Sequence, residues 1–129
     1  MPRRLFPLLA ATTLLLAGPG VAAADPSGPP VLDCKASWYG VEGQPDRMTA
    51  YGERFDRLAM TTGARDWGHN TLLRVTWTGT GKSVEVRVND FSPNAEAHPE
   101  RCVNLTWAAF GALAPQSAGV LPVRVERLN

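Results

Sequence analysis

The chain has only two cysteines and two histidines in 129 residues; with both cysteines expected in a disulfide none is to spare, and neither His69 nor His98 stands at zinc-ligand spacing. No Gly-rich phosphate loop and no Gly-x-Ser-x-Gly elbow occurs, so P-loop nucleotide chemistry and the α/β-hydrolase nucleophile are both excluded. An excess of charge is missing too. Setting aside Arg3 and Arg4, which fall in the leader described next, 11 basic residues face 12 acidic ones, a net charge of −1. That balance gives no electrostatic footprint for DNA or RNA, and nucleic acid is not expected as a partner. Helical periodicity is nearly absent, and there is no internal repeat.

What is present begins with a leader. Residues 1–24 carry two arginines, an apolar run from Leu5, a Gly-Pro-Gly break and Ala22-Ala23-Ala24, the three-part pattern of a secretory signal. Cleavage after Ala24 is expected, leaving 105 of the 129 residues as one small exported domain without a membrane anchor. An uncleaved anchor is the alternative, since the uncharged run is just long enough to span a bilayer. Export places Cys34 and Cys102 where disulfides persist, and the two are expected to pair. The competing reading is two free thiols, one of them nucleophilic.

Residues 25–33, with three prolines in DPSGPPVL, read as a flexible lead-in, and the domain is expected to span 34–129. Short apolar or β-branched runs then recur at 35–39, 72–77, 83–88, 102–105 and 121–128. A Gly-containing connection at 78–82 suits a hairpin between the second and third. In SVEVRV, Val84, Val86 and Val88 share one face while Glu85 and Arg87 share the other. The one helical candidate is Thr106 to Leu113. The chain is therefore mainly β, closed as a barrel or folded as a sandwich, with one or two short helices.

Asp90 follows this alternation at the end of a strand. In unbroken register it shares the face of Val84, Val86 and Val88 at the rim of the fold, where desolvation raises a carboxyl pKa and suits it to proton donation. The alternative is a loop cap accepting backbone amides near Ser92. Aromatics are a second feature, because sugars present flat apolar faces. Trp38 and Tyr39 alternate on a strand, so one packs the core and the other faces out. Tyr51 and Trp67 lie in loops and are candidates for a binding surface, whereas Trp107, in the helical segment with Phe110, reads as core. Asn104-Leu105-Thr106 fits an N-glycosylation triplet but sits in a predicted strand.

Four blocks carry a resemblance: KASWYG (35–40), MTAYGERFD (48–56), AMTTGARDWGHNTLLRVT (59–76) and SVEVRVND (83–90). In this order and spacing the chain resembles the rare lipoprotein A family over its whole mature length. The resemblance implies a six-stranded double-psi β-barrel, related to expansin and barwin-like barrels. It also implies endolytic lytic transglycosylase activity on peptidoglycan stripped of stem peptides. Asp90 matches the family's catalytic aspartate and Glu53 its second acidic residue, while Tyr39, Thr49 and Asn89 match positions lining the groove. Three positions depart from the family pattern. The histidine of its T-A-A-H block is Ala64 here, its R-G-P is Phe91-Ser92-Pro93, and its I-D-L-S is Val103-Asn104-Leu105-Thr106.

Lytic cleavage of the MurNAc–GlcNAc bond needs an acid for the leaving oxygen and a base for the MurNAc C6 hydroxyl, with no metal or cofactor. Asp90 is the expected acid. Glu53 is expected to steady the charge developing on the sugar or to take the second proton step, unless it is a loop residue paired with Arg54 or Arg57. Two other functions remain open. One is a non-catalytic expansin-like module binding cell-wall polysaccharide, and the other is a secreted protein-binding domain such as a protease inhibitor. A monomer, secreted or wall-associated, is expected in each case.

Overall fold

The computed structural model describes residues 28–43, 47–92 and 96–129. The expected signal segment, 1–24, lies outside them. Six strands close into a barrel in the order β1-β5-β2-β4-β3-β6. They are β1 (Val31–Tyr39), β2 (Thr61–Ala64), β3 (Leu72–Trp77), β4 (Ser83–Asp90), β5 (Arg101–Thr106) and β6 (Leu121–Arg127). The pairs β1–β5 and β2–β4 are parallel and the other four antiparallel.

Alternation drives the strands that border the solvent. In β6, Leu121, Val123 and Val125 are buried while Pro122 and Arg124 are exposed, and Leu73 and Val75 of β3 and Val86 and Val88 of β4 complete the same interior. Burying each of these side chains is worth roughly 1.5–3 kcal/mol. β2 has no such pattern. Its four residues, TTGA, are all buried, lying between β4 and β5 with both edges paired, so two-sided burial replaces alternation and the strand cannot be read from periodicity.

A single helical turn, α1 (Trp107–Gly111), follows β5 directly. Thr106 is its N-cap, accepting from the Ala109 amide and donating to the Ala59 carbonyl at 2.6 Å. The helix is shorter than the sequence expectation, and Trp107 is half-buried rather than core, with the Arg57 guanidinium 4.7 Å from its ring centroid. Phe110 and Leu113 do enter the core.

Two other expectations shift at the start of the domain. β1 begins at Val31, so residues 31–33 belong to the barrel, not to a flexible lead-in. Gly28 and Pro30 accept hydrogen bonds from Arg127, and Pro29 accepts one from the Trp67 indole at 2.9 Å. That contact also corrects the reading of Trp67 as a binding-surface residue. It is 2 % exposed, because the segment before β1 closes over it from 38 positions upstream.

Cys34 and Cys102 are disulfide-bonded, joining the adjacent strands β1 and β5 across a sequence separation of 68. Closing that loop stabilises the fold by about 4 kcal/mol through chain entropy. Reduction with dithiothreitol is therefore expected to lower the melting temperature clearly, and an unchanged melting curve would mean that the barrel does not depend on the bond.

Candidate functional site

The expectation for Asp90 rested on unbroken alternation, and the strand breaks it. Thr62 stands opposite Val88 but Gly63 opposite Asp90, so Asn89 is an extra residue in β4. The irregularity leaves Asn89 without a partner in β2 and sets Asp90, half-buried, at the end of β4. Gly63 makes room for the turn that follows: a Cβ there would stand 2.5 Å from the Phe91 carbonyl oxygen.

The long connection 40–60 between β1 and β2 folds over this point. Its centre is a closed turn in which the Thr49 amide donates to the Glu53 carbonyl (2.7 Å) and the Glu53 amide to Thr49 Oγ1 (3.2 Å). Gly52 takes the positive φ of +80° that the turn requires. Thr49 is thus buried and shapes the turn instead of lining a groove. The turn aims the Ala50 amide at Asp90 Oδ1 (2.9 Å), which also accepts the Phe91 amide at 2.9 Å. Asp90 Oδ2 accepts from the Tyr39 hydroxyl at 3.2 Å. Burial, and then the neighbouring Asp90 carboxylate, push the Tyr39 phenol far above its ordinary range, so it stays protonated and remains a donor.

Glu53 is not paired with Arg54 or Arg57. Its carboxylate meets Arg87 of β4 in a two-pronged fork, Nη1 to Oε2 and Nη2 to Oε1, each at 2.7 Å. His69 Nε2 lies 2.5 Å from Oε2. The Arg87 hydrogen bonds, aided by His69 and Asn89 against a desolvation cost, hold the Glu53 carboxyl at about 2. Asn89 is 3 % exposed, and its Oδ1 is buried with no partner among the described residues.

Aromatic rings flank the two carboxylates. Tyr39 and Phe55 lie 4.7 Å apart with the Arg47 guanidinium over both. On the other side Tyr51 stacks on His69 at 4.5 Å, nearly parallel, and meets the edge of Phe91, which is 56 % exposed. Of the residues singled out from sequence, Asp90, Glu53, Tyr39, Tyr51 and Asn89 come together here, with Thr49 beneath them and Trp67 elsewhere. Arg87, His69, Phe55 and Arg47 were not singled out. Arg87 had a signal, since it stands on the polar face of β4 three residues before Asp90. The others depend on how the 40–60 and 65–71 loops fold. Elsewhere, an open groove of about 560 Å³ lined by Trp77, Lys82, Trp107 and Gln116 contains no carboxylate. Among the described residues no three His, Cys, Asp or Glu side chains gather as a metal site.

Residues 32–125 match the family model described as lytic transglycolase. The chain belongs to this family. Relatives include the RlpA proteins of Nostoc sp. (43 % identical over 73 % of this chain and 25 % of its own) and Vibrio cholerae (37 %, 71 % and 34 %). The Vibrio cholerae relative is named an endolytic peptidoglycan transglycosylase. The chain thus spans between a quarter and about a third of the length of these relatives. Two solved structures share the double-psi barrel fold. The Streptomyces papain inhibitor aligns with a TM-score of 0.60 at 19 % identity over 81 % of this chain and 98 % of its own. A mutant Clavibacter michiganensis expansin in complex with cellohexaose gives 0.54 at 22 % over 77 % and 50 %. Against the family pattern, Ala64 occupies the histidine position in β2 opposite Val103 and is buried in the core. The imidazole that does reach Glu53 comes from the following loop.

The fork sets a pH dependence. The folded carboxyl of Glu53 lies near 2, below its ordinary 4.5, so the stability it contributes is present above pH 4.5 and is lost as pH falls towards 2. In thermal melts, Glu53→Gln is expected to be less stable than wild type at neutral pH, with the gap closing across that window. A gap independent of pH would show that the fork does not stabilise the fold through charge.

Proposed function

We propose that this chain is a secreted, monomeric lytic transglycosylase that cuts the MurNAc–GlcNAc bond of peptide-stripped peptidoglycan strands, with Asp90 as the acid. The observation that carries this reading is the Asp90 carboxylate, anchored by the Ala50 and Phe91 amides and met by the Tyr39 hydroxyl, with the Tyr51 and Phe91 rings beside it. The names of its relatives support the substrate class, and the leader of residues 1–24 supports export.

The geometry divides the labour between the oxygens of Asp90. Oδ1 is committed to the Ala50 and Phe91 amides, so it anchors the group. Oδ2, touched only by the Tyr39 hydroxyl, is the oxygen that carries the proton to the leaving O4. Glu53 stays ionised and stabilises the positive charge that develops at C1, the role suited to a fixed charge that needs no reorganisation during the reaction. Phe91, Tyr51 and Tyr39 offer ring faces and edges to the apolar sides of the sugars. The C6 hydroxyl of MurNAc attacks C1, the C1–O4 bond breaks, and a 1,6-anhydro end forms without water.

Peptide-stripped glycan strands incubated with the mature protein are expected to give anhydro-terminated fragments by mass spectrometry. Asp90→Asn should lower the rate by a factor on the order of 100 to 10,000. Full activity in that variant would remove Asp90 from the mechanism. Strands bound but left uncut by the wild type would instead make the domain a wall-binding module.

A further inference from the structure

We propose that His69, oriented by Glu53, is the base that removes the proton from the attacking C6 hydroxyl. The proposal rests on the lytic reading above and assigns the one proton transfer that Asp90 leaves unassigned.

The first step is that Glu53 is already committed. Arg87 Nη1 and Nη2 and His69 Nε2 take up its two oxygens, and a carboxyl held so low is a poor base. The nearest group with proton-accepting capacity is the imidazole it holds. With Nε2 directed at Glu53, that nitrogen carries a hydrogen and Nδ1 is the acceptor. Nδ1 has no hydrogen-bond or charged partner among the described residues, and the side chain is 34 % exposed. The ring is held in one plane by its stack on Tyr51, so a carboxylate fixes its tautomer and an aromatic fixes its orientation.

The second step is location. Tyr51 touches both His69 and Phe91, the residue after Asp90, and the Ala50 amide just before it holds Asp90 Oδ1. His69 and Asp90 therefore flank one dipeptide, on the two sides a sugar would bridge. The charged groups about the imidazole are Glu53, from the 49–53 turn, and Arg87, from β4, which also binds Asn70 Oδ1 at 3.0 Å. The anion lies between the ring and the guanidinium, so an imidazolium formed in the reaction is stabilised.

The proton balance closes. The O6–H proton passes to His69 Nδ1, O6 bonds to C1, C1–O4 breaks, and Asp90 Oδ2 gives its proton to O4. The imidazolium then loses its proton to solvent and the Asp90 carboxylate regains one.

The test compares His69→Gln, whose amide nitrogen can still donate to Glu53, with wild type and Asp90→Asn. His69→Gln should melt like wild type, bind peptide-stripped strands with unchanged affinity, and lose at least about 100-fold in kcat. Because a base acts deprotonated, the wild-type rate should fall at acid pH as the imidazole is protonated, and this limb should vanish from the residual activity of the variant. Added imidazole should restore part of the activity of His69→Ala. A wild-type rate and an intact acid limb in His69→Gln would overturn the assignment, leaving the lytic reading in place if Asp90→Asn is still inactive. Absence of cleavage by the wild type would remove both.

Discussion

The fork between Glu53 and Arg87 is the contact on which the groove depends. Among the described residues of the 40–60 connection there is no strand and only one isolated bridge, Met48 to Arg54. An excursion of that length is costly to order and keeps a single shape only where side chains fasten it. One end is fastened by the Arg57 carbonyl accepting from the Ala108 amide and by Ala59 accepting from Thr106. The middle is fastened by the fork, which ties the turn 49–53 to β4 with two charge-assisted hydrogen bonds. Released from β4, the turn would no longer aim the Ala50 amide at Asp90, and the two carboxylates would lose their fixed relation.

The same contact separates the chemistry of the two acids. Glu53 receives a guanidinium and an imidazole, which favour its anion. Asp90 sits at the end of β4, with one oxygen anchored by backbone amides and the other left to a phenol. Two carboxyl groups, one in the 49–53 turn and one at the end of β4, are thereby given different surroundings, which in the proposed reaction suit one to be a fixed charge and the other a proton carrier. Disulfide and barrel supply rigidity beneath them, and the aromatic rings supply the walls.

Much of this was legible in the chain, for identifiable reasons. The faces of β3, β4 and β6 could be read because one side of each meets solvent, and the Cys34–Cys102 bond followed from having only two cysteines behind a leader whose pattern predicts export. β2 was hidden because a strand buried on both faces shows no alternation. The irregular register at Asn89, where β4 runs one residue ahead of β2, was hidden because periodicity carries no sign of an extra residue. Trp67 resembled a loop aromatic, and its burial depends on a segment 38 positions upstream. Arg87 was readable as an outward cation but not as the partner of Glu53, and His69 was weighed as a zinc ligand and dismissed on its spacing. In the fold, a loop delivers it to Glu53 all the same.

The central claim is that glycan lies across the Asp90–Glu53 groove. The most direct measurement is an NMR titration of the Asp90→Asn variant, in which cleavage is expected to be greatly slowed, with short peptide-free peptidoglycan oligomers. Shifts should concentrate on the backbone amides of Ala50, Tyr51 and Phe91 and on the Arg87 side chain. Shifts confined to the groove between Trp77 and Trp107, with the Ala50–Phe91 region silent, would contradict the claim and move glycan recognition to the other side of the barrel.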